Sequence, residues 1–311
     1  MYYPYFRGKQ FELITIREMA QLMADNDFIP VIEPVRESLN GLKKALKAIE
    51  DVGGKAVVIV NPYYGDHHDD GCNITNFLDE EFSDSKDISA GILLRSDMSV
   101  DEAVSCFEQH KTHNRVLVHA GFTEPKALAA KLEDYMPELT NIFIDDHSKL
   151  LYRKHFSSNK RILIRDGFNR QRNADYPEVE MFSELHATFP ELGMDGFGDF
   201  LMVGDAYSEG GGPAYAVAIH LTFIDHDNDD VMYIYHFVSD SKDTPTDPAG
   251  KFGQALGKLI RKLESGHSGL LETSAIKEFK ALHDKGYFPG LGYVKKLSMK
   301  HHIETLVDYL N

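Results

Sequence analysis

Tryptophan is absent from this chain, and cysteine occurs only twice in 311 residues, at Cys72 and Cys106. Two cysteines are too few for a disulfide framework or a cysteine-based zinc site, so a reducing, cytoplasmic setting is expected. The lack of indole rings weakens a glycosidase reading, leaving tyrosine as the stacking platform. Long apolar runs are also missing. The longest, such as residues 56–60, fall far short of the ~20 residues that span a bilayer, and no membrane association is expected. The opening Met1-Tyr2-Tyr3-Pro4-Tyr5-Phe6-Arg7 shows no basic segment followed by an apolar one, so no secretory leader is expected. The phosphate loop Gly-x-x-x-x-Gly-Lys-Ser/Thr, the nucleophile elbow Gly-x-Ser-x-Gly and the metalloprotease His-Glu-x-x-His do not occur. Ser268, in Gly266-His267-Ser268-Gly269, has the wrong spacing for an elbow.

Positive charge is in deficit. Thirty-three Lys and Arg face 49 Asp and Glu, a formal net charge of −16. Such a field repels polyanions at long range and argues against generic nucleic-acid binding. It leaves room for a local basic site, and solubility alone accounts for the excess.

What is present is a rhythm of short β-branched runs, each followed by a polar end and a helix. Val31-Ile32-Glu33-Pro34-Val35 leads to a helix with Leu39, Leu42, Leu46 and Ile49 on one face, closed by Gly53-Gly54. Residues 56–61, 91–95, 115–119, 141–145 and 161–165 repeat the pattern, and residues 200–205 form a seventh strand. Ser99 and Glu102 have capping-box spacing, and Glu124-Pro125 suits a helix start. A long polar insertion loop spans residues 63–89. Near-continuous apolar strands are buried on both faces, as in a parallel sheet covered by helices. The fold class expected is therefore α/β, an irregular TIM-like (β/α) barrel. A doubly wound sheet is the alternative, but Glu33-Pro34-Val35-Arg36 is no glycine-rich nucleotide turn, and polar residues end nearly every strand.

The last third departs from this pattern. Residues 214–224 alternate, and a turn centred on Asp227-Asn228 leads into residues 231–238, an antiparallel hairpin within 214–240 that stands in for the final barrel strand. Helices fill residues 248–311, with Phe252, Leu256, Leu259, Ile260 and Leu263, then Ile303, Leu306 and Leu310, on their apolar faces. The expectation is one barrel-like domain over residues 1–311.

Strand ends in a parallel barrel form the mouth, where active sites are built. They supply Glu33, Asn61, Arg95 with Asp97, His119, Asp145 with Asp146, Arg165 with Asp166, and Asp205, with Tyr207 in the loop beyond. Guanidinium forks clamp phosphate, and carboxylates hold a divalent metal or act as base. On that reading Arg95 and Arg165 bind phosphate, and Glu33, Asp145 and Asp205 hold the metal. His119 is then the acid or base, with Asn61, Asp97, Asp166 and Tyr207 lining the ligand. The plainer reading is that these groups pair with one another. The cluster Asp66-His67-His68-Asp69-Asp70 has metal-ligand chemistry, yet consecutive residues seldom face one ion, and a solvated loop is expected. The glycine-rich run 207–213 enters a strand and so lacks a helix N-terminus for phosphate. With the turn so centred, His220 and His236 fall nearly opposite each other in the hairpin, as a metal or proton-sharing pair or as a simple cross-strand polar pair.

The opening Tyr3-Pro4-Tyr5-Phe6-Arg7-Gly8-Lys9-Gln10-Phe11-Glu12-Leu13, with Pro30-Val31-Ile32-Glu33, resembles that of the beta protein family of bacterial and phage proteins. Gly198-Asp199-Phe200, residues 211–220 and Tyr235-His236-Phe237-Val238-Ser239-Asp240 are similar to an uncharacterised branch related to it. The resemblance implies a barrel-like fold and a phage-defence or mobile-element setting, with no catalytic residues to carry over. It gives Arg7, Lys9 and Glu33 a share in any site, although an N-terminal helix plugging the barrel bottom explains them equally. The first functional expectation is thus a defence or mobile-element component acting on a phosphate-containing ligand, as a metal-assisted phosphoester hydrolase or a binder. The second is a non-enzymatic scaffold that presents its hairpin and an apolar patch on its tail helices to a partner protein.

Overall fold

The computed structural model describes residues 1–156, 160–210 and 212–311. These form two compact units, residues 1–166 with 188–200 and residues 167–187 with 201–311, in place of the single domain expected.

The first unit is the barrel. Its strands are β1 (Tyr5–Phe6), β2 (Val31–Ile32), β3 (Ala56–Ile59), β4 (Ile88–Arg95), β5 (Arg115–Ala120), β6 (Thr140–Ile144) and β7 (Lys160–Ile164). After β8 (Val179–Ser183), which belongs to the second unit, β9 (Gly196–Gly198) supplies the eighth. All eight pair in parallel in the order β1-β2-β3-β4-β5-β6-β7-β9. The ring is nearly closed, because Tyr2 bridges Phe197 and the amides of Tyr3 and Tyr5 donate to the carbonyls of Phe197 and Asp199. Helices α1 (Gln10–Asp25), α2 (Asn40–Glu50), α3 (Cys72–Glu81), α4 (Val100–Gln109), α5 (Pro125–Lys131) and α6 (Leu150–Arg153) connect the strands. The capping box of Ser99 and Glu102 starts α4, and Pro125 opens α5.

Strand alternation sorts the side chains. Tyr3, Tyr5, Val31, Val57, Ile59, Leu93, Val116, Val118, Ile142, Ile144, Ile162, Ile164 and Phe200 fill the interior. Closure depends on glycine: a Cβ on Gly198 would lie 2.1 Å from the Tyr3 carbonyl oxygen, with Ile164 Cγ1 at 3.0 Å. Gly198→Ala is therefore expected to cost about 1–3 kcal/mol by overpacking the seam. Urea unfolding checks this, and an unchanged midpoint would mean the seam yields freely.

Several expectations change. Residues 201–203 form a turn, so the predicted seventh strand is replaced by β9, which its two glycines had disguised. The loop 63–89 contains α3, anchored by buried Ile74 and Leu78, and so is an ordinary crossover. The N-terminal helix plugs nothing: α1 is the crossover between β1 and β2.

In the second unit, β10 (Ala218–Asp225) and β11 (Val231–Val238) form the predicted hairpin, paired His220 to His236. The hairpin joins β8 in a separate three-stranded antiparallel sheet and does not complete the barrel. A short α7 (Leu185–Thr188) follows β8, and α8 (Pro248–Glu264), α9 (Ser274–Lys285) and α10 (Leu291–Leu310) end the chain. Phe252, Leu256, Leu259, Ile276, Phe279 and Leu297 pack against Ile219, Leu221 and Phe237. The tail is thus core, and the apolar docking patch expected of a scaffold is instead buried, apart from side chains such as Tyr287, Leu291 and Leu310. No helix among the described residues is long and apolar enough to cross a membrane.

Candidate functional site

At the C-terminal end of the barrel, the inward parity of the strands carries Arg7, Glu33, Asn61 and Arg95 onto one arc, from β1 to β4. This arc satisfies itself. Glu33 is fully buried and ion-paired with Arg7, whose guanidinium lies against the rings of Tyr5, Tyr64 and Phe200. The Tyr5 hydroxyl donates to Glu33 Oε2 at 2.9 Å, and the amides of Tyr63 and Tyr64 donate to Oε1 at 2.8 and 3.3 Å. Asn61 imitates a strand residue, donating to the Leu93 carbonyl and accepting from its amide. Arg95 pairs with exposed Asp97 and donates to the Pro62 carbonyl. These contacts hold the 61–64 turn over the strand ends.

The remaining predicted residues lie elsewhere. His119 sits between inward-facing Val116, Val118 and Ala120, so its ring points outward from β5. There it stacks on Phe143 at 4.6 Å, accepts from the Tyr152 hydroxyl at Nδ1 (2.7 Å) and donates to Asn141 Oδ1 at Nε2 (2.9 Å). Complete burial pushes its pKa down to about 3, so it is a neutral packing element rather than a mouth acid. Asp145 and Arg165 share the outward parity of Phe143 and Leu163, and they pair with each other at 2.7 Å with Arg153 alongside. Asp166 has the inward parity of Ile164 and is half-buried. Asp205 and Tyr207 belong to the second unit.

The proposed metal set therefore does not assemble. Strands β2 and β6, which carry Glu33 and Asp145, stand four places apart in a ring of eight, and both carboxylates are already engaged. Among the described residues, no group of three or more His, Cys, Asp or Glu side chains could hold a metal ion. In the Asp66–Asp70 cluster, buried His67 meets the Arg36 carbonyl, His68 pairs with Asp69, and Asp70 accepts from the Cys72 amide at the start of α3. In the glycine-rich run, Gly211 lies outside the described residues.

A cavity of the barrel unit lies at the opposite end, where the strands begin. It measures about 520 Å³, with Tyr3, Val57 and Val116 among its walls. Around it stand Lys55, Lys86, Lys111, Arg115 and Lys160, opposed by Asp27 and Glu138. Each cation precedes or opens a strand, so the barrel's own geometry gathers them in a ring. Among the described residues, none of the four lysine ammonium groups has an ion-pair or hydrogen-bond partner. Arg115 is held flat between Phe107, 3.8 Å from its centroid, and Tyr135 at 4.7 Å. Partial burial, and then repulsion from Lys55, lowers the pKa of Lys160, the signature of positive charge without full compensation. Reading only strand ends missed these five residues. The signal in the sequence was a basic residue ahead of successive strands, in Lys55-Ala56, Lys86-Asp87-Ile88, Arg115-Val116 and Lys160-Arg161-Ile162.

No protein-family model matches the chain, and no curated protein matches it.

Proposed function

We propose that this protein binds a small anion carrying two or more phosphate groups in the cavity at the N-terminal end of its barrel. The observation that carries the reading is the convergence of four unpartnered lysines and a braced arginine on one concavity, in a chain of net charge −16. Among the side chains that line the cavity five cations face two carboxylates, and beyond the lining Glu108 lies 3.9 Å from Arg115. The lining also includes Tyr3, Val57 and Val116, and the volume is within the usual range of small-molecule sites. The phosphate ligand expected from the sequence is retained but moves from the mouth to the opposite end. Hydrolysis is not part of the reading, because the carboxylates meant to hold a metal are apart. The resemblance to the beta protein family supports a phage or mobile-element setting for this binding.

Isothermal titration with inorganic tripolyphosphate tests it. The wild-type chain is expected to bind one equivalent, more weakly as salt rises. Lys55→Gln with Lys160→Gln should weaken binding at least tenfold and leave thermal unfolding unchanged, since neither ammonium group has an ion-pair or hydrogen-bond partner among the described residues. No binding, or equal binding by the double variant, would overturn the assignment.

A further inference from the structure

The second unit contains a part-buried chain of acceptors and donors that the barrel does not use. His220 on β10 and His236 on β11 are directly paired, so their rings leave the same face of the sheet. Their Nδ1 atoms are 2.7 Å apart, and His236 Nε2 is 3.0 Å from Glu180 Oε1 on β8. Tyr176 stacks on His236 at 4.4 Å, and the edge of Phe168 closes on His220 at 5.1 Å, which fixes both rings.

The carboxylate sets every proton in this row. Ionised Glu180 only accepts, so His236 carries its hydrogen on Nε2 and presents a bare Nδ1. Two bare nitrogens do not approach to 2.7 Å, so His220 must hold its hydrogen on Nδ1. Its Nε2 is then a lone pair, and that atom has no partner among the described residues. His220 lines a cavity of about 100 Å³ with Asn173, Lys295, Ser298, Met202 and Val294, room for a molecule of a few heavy atoms.

We infer that this cavity is a second site, in which His220 Nε2 accepts a hydrogen bond from the O–H of a small hydroxyl-bearing molecule or water. The ligand keeps its proton, because an alcohol is a far weaker acid than the imidazolium or carboxylic acid that would have to receive it. Glu180, whose side chain is 22% exposed, fixes both tautomers through His236, so that His220 Nε2 is left as the acceptor. Lys295 also lines the cavity, and Tyr176 is a further titratable group against the pair. Burial, then His236 and Lys295, hold the His220 pKa well below its usual value, so the lone pair is free at neutral pH.

The experiment is long-range proton–nitrogen NMR on the full chain with labelled histidine, using ethanol as the probe. The expected result is an Nδ1-protonated His220 beside an Nε2-protonated His236. Ethanol should shift the His220 Nε2 signal saturably and leave the other histidines unmoved. Glu180→Ala should mix the tautomers of both rings while the circular dichroism spectrum stays native. A His220 protonated on Nε2, or an Nε2 signal indifferent to ethanol, would overturn the inference even if the variant failed to fold, because both are read on the wild-type chain.

Discussion

Arg7→Met is expected to destabilise the barrel by about 3–5 kcal/mol, the usual result of removing one partner from a buried ion pair. Glu33 has no exposed surface, so its charge cannot recover water when the guanidinium is gone. The hydroxyl of Tyr5 and the amides of Tyr63 and Tyr64 remain as donors, but none carries a charge. Methionine keeps much of the contact with the Tyr5, Tyr64 and Phe200 rings, so the loss reports the charge more than the packing. The double variant Arg7→Met, Glu33→Gln should recover part of the stability, since it leaves no lone buried ion. Urea midpoints at constant slope measure both effects. A loss under about 1 kcal/mol for Arg7→Met would mean that the pair exchanges with solvent, a behaviour typical of exposed pairs.

The second large effect is acid lability well above the carboxylate range. His119 and His301 are each completely buried, with pKa values pushed down to about 3 and about 4. His301 donates from Nε2 to the Thr222 carbonyl and accepts from the Thr273 hydroxyl at Nδ1, both at 2.8 Å, so the neutral ring is fully hydrogen-bonded as it stands. Unfolded histidine takes up its proton near pH 6.5, whereas these two refuse it while folded. The unfolded chain therefore binds more protons as pH falls, and stability that is intact above pH 6.5 declines below it toward pH 4 and 3. By pH 4 the His119 contribution alone is roughly 3 kcal/mol. The interval from pH 6.5 to 5 isolates the histidines, because ordinary carboxylates titrate lower. Unfolding free energies across that interval should slope downward with acid, less steeply in His119→Gln. A flat profile would show that these rings are hydrated.

The strands that could be read in advance were those whose burial left a run of branched side chains, such as residues 56–60 and 161–165. The two that escaped, β1 and β9, are two and three residues long and close the ring through backbone. Nothing in a Tyr-Phe pair or a Gly-Phe-Gly triplet marks such a role, because the deciding backbone bonds join segments far apart in the chain, Tyr3 to Phe197 and Tyr5 to Asp199. The hairpin and its turn rich in Asp and Asn were legible, but the register is centred on Asn228 and so pairs His220 with His236, one residue from the pairing that a turn centred on Asp227-Asn228 gives. The site was less so. Strand-end position alone identified Glu33 and Arg95 as inward-facing but carried His119, Asp145 and Arg165 to the wrong face, where one residue of parity reverses the outcome. The basic ring escaped because attention to the usual catalytic end of a barrel passes over the strand beginnings.

The order of the strands along the chain has a kinetic consequence. Residues 167–187 leave the barrel, contribute β8 to the other sheet, and return before β9. The barrel seam cannot form until Gly198 has been synthesised, and β8 then still waits for β11. During synthesis each unit is therefore held incomplete by a piece of the other, and no single proteolytic cut releases either one whole. Refolding should be slow for a protein of this size, as contacts between distant chain segments are slow to form.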